Sequence, residues 1–209
     1  MNRIRTAPTK SALLNLRKQV RFLEDGHALL ERKRELLTRL VYQHIKEYQQ
    51  KKETAHTALR KAYRWLSIAQ LRMGDRSIAQ AMLGATPSTR MKVLPRRSLG
   101  VQYPSVDAQV IAAKPVGLLG TDPSFDEARQ AFAKAAVHLA ELAAVEMALY
   151  RLISEQRKAQ KRVNALKYNI IPSYKQVIKR IAEALEEEER GTLFQIKRLR
   201  DAAAKKQRA

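Results

Sequence analysis

The sequence predicts an all-α fold: a long antiparallel two-helix coiled coil formed by the N- and C-terminal arms, with a small irregular, β-hairpin head in the middle. Three observations carry this. Of the 7 prolines in 209 residues, Pro87, Pro95, Pro104, Pro115 and Pro123 fall in one central stretch, leaving the flanks nearly free of breakers. Apolar residues on both flanks recur at alternating steps of 3 and 4, a seam narrower than the stripe of an ordinary globular helix. Finally, in RVNALKYNIIPSYKQVIKRI the residues Val163, Leu166, Ile170, Val177 and Ile181 keep one face apolar across Pro172. A loop would reset that phase, so a kink inside one continuous helix is expected at Pro172.

The first arm is placed at residues 9–73. Its seam runs Leu13, Leu16, Val20, Leu23, His27, Leu30, Arg34, Leu37 and Val41. Steps of four through Ile45 form a stutter that locally unwinds a supercoil, after which Ala55, Leu59, Ala62, Leu66, Ala69 and Met73 resume the alternation. Such an arm would be roughly 95 Å long. His27 on the seam reads as a polar residue fixing register, and Arg34 as a side chain reaching out from the rim.

The head is placed at 74–123, with a short helix and a β-hairpin. MKVL, SLGVQY and AQVIAA are short, partly β-branched runs separated by Gly and Pro. The second arm, 124–203, opens in TDPSFDEARQAF with Ser124 as N-cap and with Asp126 and Glu127 at the positive end of the helix dipole. Its seam runs from Leu142, Val145, Leu149 and Leu152 through Val163, Leu166, Ile170, Tyr174, Val177, Ile181 and Leu185, and later to Ile196 and Leu199. With level chain ends, paired residue numbers total about 210, which sets Pro172 beside Leu40 and the stutter. A globular bundle broken at Gly26, at 169–172 and at Gly191 is the alternative, disfavoured by the unbroken phase.

Charge is the informative compositional feature. Lys and Arg number 41 against 20 acids, a formal +21 with a pI near 10.5. Such a chain repels itself and attracts anionic surfaces. With no cysteine, disulfides, thiol catalysis and thiolate metal sites are excluded. The opening MNRIRTAPTKSALL lacks the apolar run of a secretion signal, and the most apolar stretch, Phe132–Ile153, carries Lys134, Glu141, Glu146 and Arg151. A cytoplasmic chain, peripheral to any membrane, is expected. No P-loop occurs. Gly117-Leu118-Leu119-Gly120 reads as a turn rather than an RNA-binding loop, and His27, His44, His56 and His138 make no ligand pair four apart. The acids Glu186 to Glu189 diverge around a helix instead of converging, and Glu186 can pair with Arg190. Nothing assembles a nucleophile, base and orienting group, so a non-enzyme without cofactor or metal is expected. In an antiparallel pair, Arg3, Arg5, Lys10 and Arg17 would share one tip with Lys197, Arg198 and Arg200, and with Lys205, Lys206 and Arg208 beyond. That crowd of cations calls for an anionic partner. Phe22 and Phe194 are its only aromatics, so nucleic acid is disfavoured.

RVNALKYNIIPSYKQVIKRIAEALEEEERGTLFQIKRLR resembles the C-terminal helix of the D subunit of the V-type/A-type rotary ATPases. The matching residues are Arg162-Val163-Asn164-Ala165-Leu166, Ile171-Pro172, Ile178, Ile181, Leu185, Glu187, Glu189-Arg190, Phe194 and Lys197. APTKSALLNLRKQVRFLEDGHALLERKRELL is similar to the N-terminal helix of that family through Pro8-Thr9, Gly26-His27, Leu29-Leu30, Lys33-Arg34 and Leu36-Leu37. PVGLLGTDPSFDEARQAF also resembles the opening of the second family helix, so the likeness spans essentially the whole chain. Lys10, Gly191 and Gln195 depart from the pattern. The resemblance implies a central rotor stalk that binds no nucleotide. Its paired terminal helices would enter a ring of catalytic and non-catalytic nucleotide-binding subunits. Its far end would dock, with the small F subunit of the rotor, on a socket subunit of the membrane rotor. A basic coiled-coil nucleic-acid-binding protein and the stalk of a type III export ATPase are the alternatives.

Overall fold

A computed structural model describes residues 7–112, 114, 116 and 120–206, except the side chains of 202–206. Arg3, Arg5, Arg208, Gly117, Leu118 and Leu119 lie outside the described residues. Helix α1 spans Lys10–Met73 and the short helix α2 spans Asp75–Leu83. Strands β1 (Thr89–Ser98) and β2 (Val101–Val110) follow. Then α3 (Pro123–Ala165), a π turn (Leu166–Ile170) and α4 (Ile171–Lys206) form one joined C-terminal helix. Gly26 lies inside α1 and Gly191 inside α4, and neither breaks its helix. The chain packs as two units: residues up to Arg34 with those from Lys158 onward, and Glu35–Arg157.

Both long helices begin at side-chain caps. Thr9 Oγ1 accepts the Ala12 N–H at 3.2 Å and so caps α1. The cap of the second arm is Asp122 and not Ser124. Asp122 Oδ2 accepts the Ser124 N–H at 2.9 Å and also the Ser124 hydroxyl. Pro123 takes the first helical position, where its missing N–H costs nothing. Ser124 is buried instead.

In the first unit α1 runs antiparallel to α4, and the seam is apolar. Leu16, Val177 and Ile181 form a buried cluster with Leu13, Tyr174, Ile178 and Leu185 packed on it. Val20, Ala159 and Val163 are also buried, while Leu23, Leu30 and Leu166 are half-buried. Lys10 pairs with Glu189 at 2.7 Å and Glu24 with Lys175 at 2.7 Å. Partner numbers total 199 at both pairs, below the total of about 210 for level ends. Pro172 therefore stands level with Gly26–His27, not with Leu40 and the stutter. Arg34, read as a rim side chain, instead donates from Nη1 to Gln160 Oε1 across the pair at 3.0 Å, and Gln160 Nε2 donates to Asn164 at 2.8 Å.

The irregularity expected at Pro172 falls ahead of it. Ile171 keeps helical geometry (φ −58°, ψ −46°), and its N–H reaches back five residues to the Leu166 carbonyl. The usual bias of a pre-proline residue away from helix is thus overridden. A π turn adds one residue to the helix and rotates what precedes it. That is why Ile170, which the seam pattern places inside, is 37% exposed, while Val177 and Ile181 beyond the turn are buried.

In the second unit α1 runs antiparallel to α3, tied by Lys51–Glu141 at 2.8 Å and Arg72–Asp122 at 3.3 Å. Here the seam is mostly alanine. Ala62, Ala131 and Ala135 form a buried cluster bordered by Ala58, Leu59, Trp65 and Phe132, and Ala55, Ala69, Ala128 and Ala148 are buried as well. Leu37 and Leu152 are fully buried. Small side chains let helix axes approach closely. The strands form one antiparallel hairpin that turns at Leu99-Gly100. The turn lies within SLGVQY, and β2 ends at Val110, within AQVIAA. Pro95 stands opposite Pro104, which a ladder tolerates only where both N–H positions face outward. The hairpin rests on the helices through the Tyr103 ring against His44 (centroids 5.9 Å apart) and through Arg151, which donates to the Gln102 carbonyl at 2.8 Å.

Candidate partner-binding tip

The Lys10–Glu189 pair marks where the first helix gives out. α1 begins at Lys10, whereas α4 continues to Lys206, so past Glu189 α4 extends beyond helix α1 among the described residues. Residues 186–201 are all exposed. Ile196 and Leu199, placed on the seam by their spacing, are 61% and 72% exposed, and among the described residues no helix stands opposite them. Leu193 and Phe194 stand out at 67% and 63%. Leu193, Ile196 and Leu199 lie within about 120° of one another around the helix, with the exposed cations Lys197, Arg198 and Arg200 interleaved.

The proposed cations divide between two roles. Lys10 is engaged inside the chain: its hydrogen bond to Glu189, then the charge of that carboxylate, raises the Lys10 pKa. The same bond from Lys10 lowers the pKa of Glu189. Glu189, not Glu186, is thus the acid of this run with a structural partner in the other helix. Arg17 is exposed on α1, and Arg200 Nε lies 3.9 Å from the neighbouring Asp201. Arg17 sits well behind the overhang, whereas Lys197, Arg198 and Arg200 ride on it. What spacing did not reveal is that, among the described residues, α4 continues past the start of α1 with its apolar side chains exposed. The signal was available in Pro8-Thr9, which fixes where α1 can start, and in the loss of regular seam steps after Leu185.

Among the described residues, no group of three His, Asp or Glu side chains could hold a metal ion. Among the described residues no helix is long and apolar enough to cross a membrane. What the tip offers chemically is an apolar and cationic helical surface, suited to a groove walled by apolar side chains and carboxylates.

Comparison with known proteins gives one consistent result. The family model for the D subunit of ATP synthase matches residues 12–201. The chain is 36% identical over 200 residues to the V-type ATP synthase D subunit of Thermotoga neapolitana, covering 95% of this chain and 98% of that one. It is 30% identical to the A-type ATP synthase D subunit of Pyrococcus furiosus, with 94% of each chain covered. It is 31% identical to the V-type ATP synthase D subunit of Clostridioides difficile, covering 99% of this chain and 95% of that one.

Proposed function

The chain belongs to the family of ATP synthase D subunits, and from that premise we propose that it is the central rotor stalk of a V/A-type ATPase. It carries rotation between the nucleotide-hydrolysing or -synthesising ring and the ion-translocating membrane rotor, and itself performs no chemistry. The observation that supports this reading is the stretch of α4 past Glu189, which has no helix opposite it among the described residues and exposes Leu193, Phe194, Ile196 and Leu199 beside Lys197, Arg198 and Arg200. An isolated helix gains nothing by exposing such a surface, but one seated among the catalytic and non-catalytic ring subunits buries it. The unit with α2 and the hairpin then meets the small F subunit of the rotor and the socket subunit, which would hold the chain at the membrane rotor.

The test is truncation after Arg190. The seam cluster of Leu16, Val177 and Ile181 and the Lys10–Glu189 pair all survive that cut, so helix content and melting temperature should change little. Ring assembly, or ATP-driven ion pumping by the reassembled complex, should fall by an order of magnitude or more, since four large apolar anchors are removed (about 1.5–3 kcal/mol each if buried). Unchanged assembly and pumping would refute the placement of this tip.

A further inference from the structure

The second unit contains a cavity of about 700 Å³ between the end of α1, α2 and the start of α3, with Leu66, Ile78, Met82, Phe125 and Phe132 among its walls. That is within the usual range for small-ligand pockets, about 300–1,000 Å³. Among the described residues one charged side chain lines it, Arg129. This side chain is 9% exposed. Its Nη1 donates to the Lys114 carbonyl at 3.2 Å and to Asp126 Oδ1 at 3.3 Å, and the guanidinium carbon lies 5.9 Å from the centroid of the Phe125 ring. Its Nη2 is buried and has no hydrogen-bond partner among the described residues. A buried guanidinium nitrogen without an acceptor is costly, so the site favours whatever brings it one.

The wall able to give way is α2. It contains no buried residue, begins after Gly74 at φ 75°, and ends at Gly84. Its Met82 is 54% exposed. Nine residues are too few for a helix to hold itself together without firm packing.

We propose that this cavity binds a small amphipathic carboxylate of the acyl-chain type, its alkyl body among Leu66, Ile78 and Phe132 and its carboxylate on Arg129 Nη2 once α2 yields. The planar guanidinium matches a carboxylate better than any neutral acceptor, and a chain of +21 draws anions to its surface. The site is independent of the rotor reading: it needs no ring and no membrane partner.

Octanoate and octan-1-ol, equal in alkyl length but differing in headgroup, test it on the purified full chain. Binding is followed by calorimetry and by emission of Trp65, the single tryptophan, which like the wall residue Phe132 packs against the alanine cluster. Octanoate should bind saturably and more tightly than octan-1-ol. Arg129→Met should weaken octanoate about tenfold or more, the worth of a charge-assisted bond, and leave octan-1-ol unchanged. Asp126→Asn, which removes the competing carboxylate but keeps the guanidinium, should preserve or tighten octanoate binding. Equal binding of acid and alcohol, failure of octanoate to saturate, or loss of octanoate binding in Asp126→Asn would each overturn the proposal. Should Arg129→Met fail to fold, the acid–alcohol comparison and Asp126→Asn decide it alone.

Discussion

Two residues show how single positions set the ends of elements. Asp122 caps α3 through Ser124, and the Ser124 hydroxyl and N–H, followed by Arg72, hold its carboxyl below the ordinary carboxylate range. A group whose folded pKa is depressed contributes stability that is full above its unfolded value, about 3.9. That contribution is lost as pH falls through the folded value. Asp122→Ala should therefore lower the melting temperature at neutral pH, and the gap from the parent protein should close as the pH drops below about 4. A gap that stays constant down to strong acid would mean that the carboxylate is not the stabilising form. Leu99 is the other case. It sits at φ 49° beside Gly100 at φ 81°, so both turn residues have the positive φ of a type I′ hairpin turn. A leucine pays for this conformation where asparagine does so far more cheaply. Leu99→Asn should raise hairpin stability by about 1 kcal/mol, read as greater amide-exchange protection of Val101 and its neighbours. A loss of protection would show that the Leu99 side chain has a packing role outweighing the strain.

At the scale of elements, the two units hold their helices together differently. Between α1 and α4 the contact is leucine, valine and isoleucine; between α1 and α3 it is alanine, with Ala62 fully buried against Ala131 and Ala135. Ala62→Leu has no room to enter and should cost about 1–3 kcal/mol by overpacking, measurable in denaturant unfolding. A neutral effect would mean that the axes separate easily. Long regular elements were legible because their 3-and-4 spacing repeats many times, and the head was legible as a hairpin because prolines and glycines bracket β-branched runs. The failures are local. Leu99-Gly100 lacks the Asn-Gly signature, so the strand pattern ran straight through the turn. Ser124 resembled a cap, but Pro123 needs the first helical position and moves the cap back to Asp122. The phase across Pro172 correctly showed that the helix continues, yet apolar spacing cannot reveal a π turn, because one inserted residue merely looks like an extra step of four. Level ends were an assumption about register, and a seam whose layers are nearly all aliphatic does not fix register from its spacing alone. The overhang of the tip followed from that same gap.

For the molecule as a whole the governing quantity is charge. The excess of 41 cations over 20 acids is only partly used inside the chain, where ion pairs such as Lys10–Glu189, Glu24–Lys175 and Lys51–Glu141 tie helices across the seams. Surface pairs of this kind contribute little on their own, about 0–1 kcal/mol, so folding does not account for a charge of +21. On the rotor reading proposed above, an acidic inner wall of the ring around the overhang would account for it. Exposed charges are screened beyond about 10 Å at 0.1 M salt and beyond about 3 Å at 1 M, whereas apolar burial is not weakened by simple salt. Affinity of this chain for the ring should therefore fall as ionic strength rises, mainly through a slower association rate. Lys197→Ala combined with Arg198→Ala should flatten that dependence, while Leu193→Ala combined with Phe194→Ala should lower affinity at every salt concentration without changing the slope. Titrating chain against ring at stepped salt separates the two. If both double variants leave slope and affinity unaltered, residues past Glu189 do not touch the ring, and the cations of the tip are there only to keep the chain soluble.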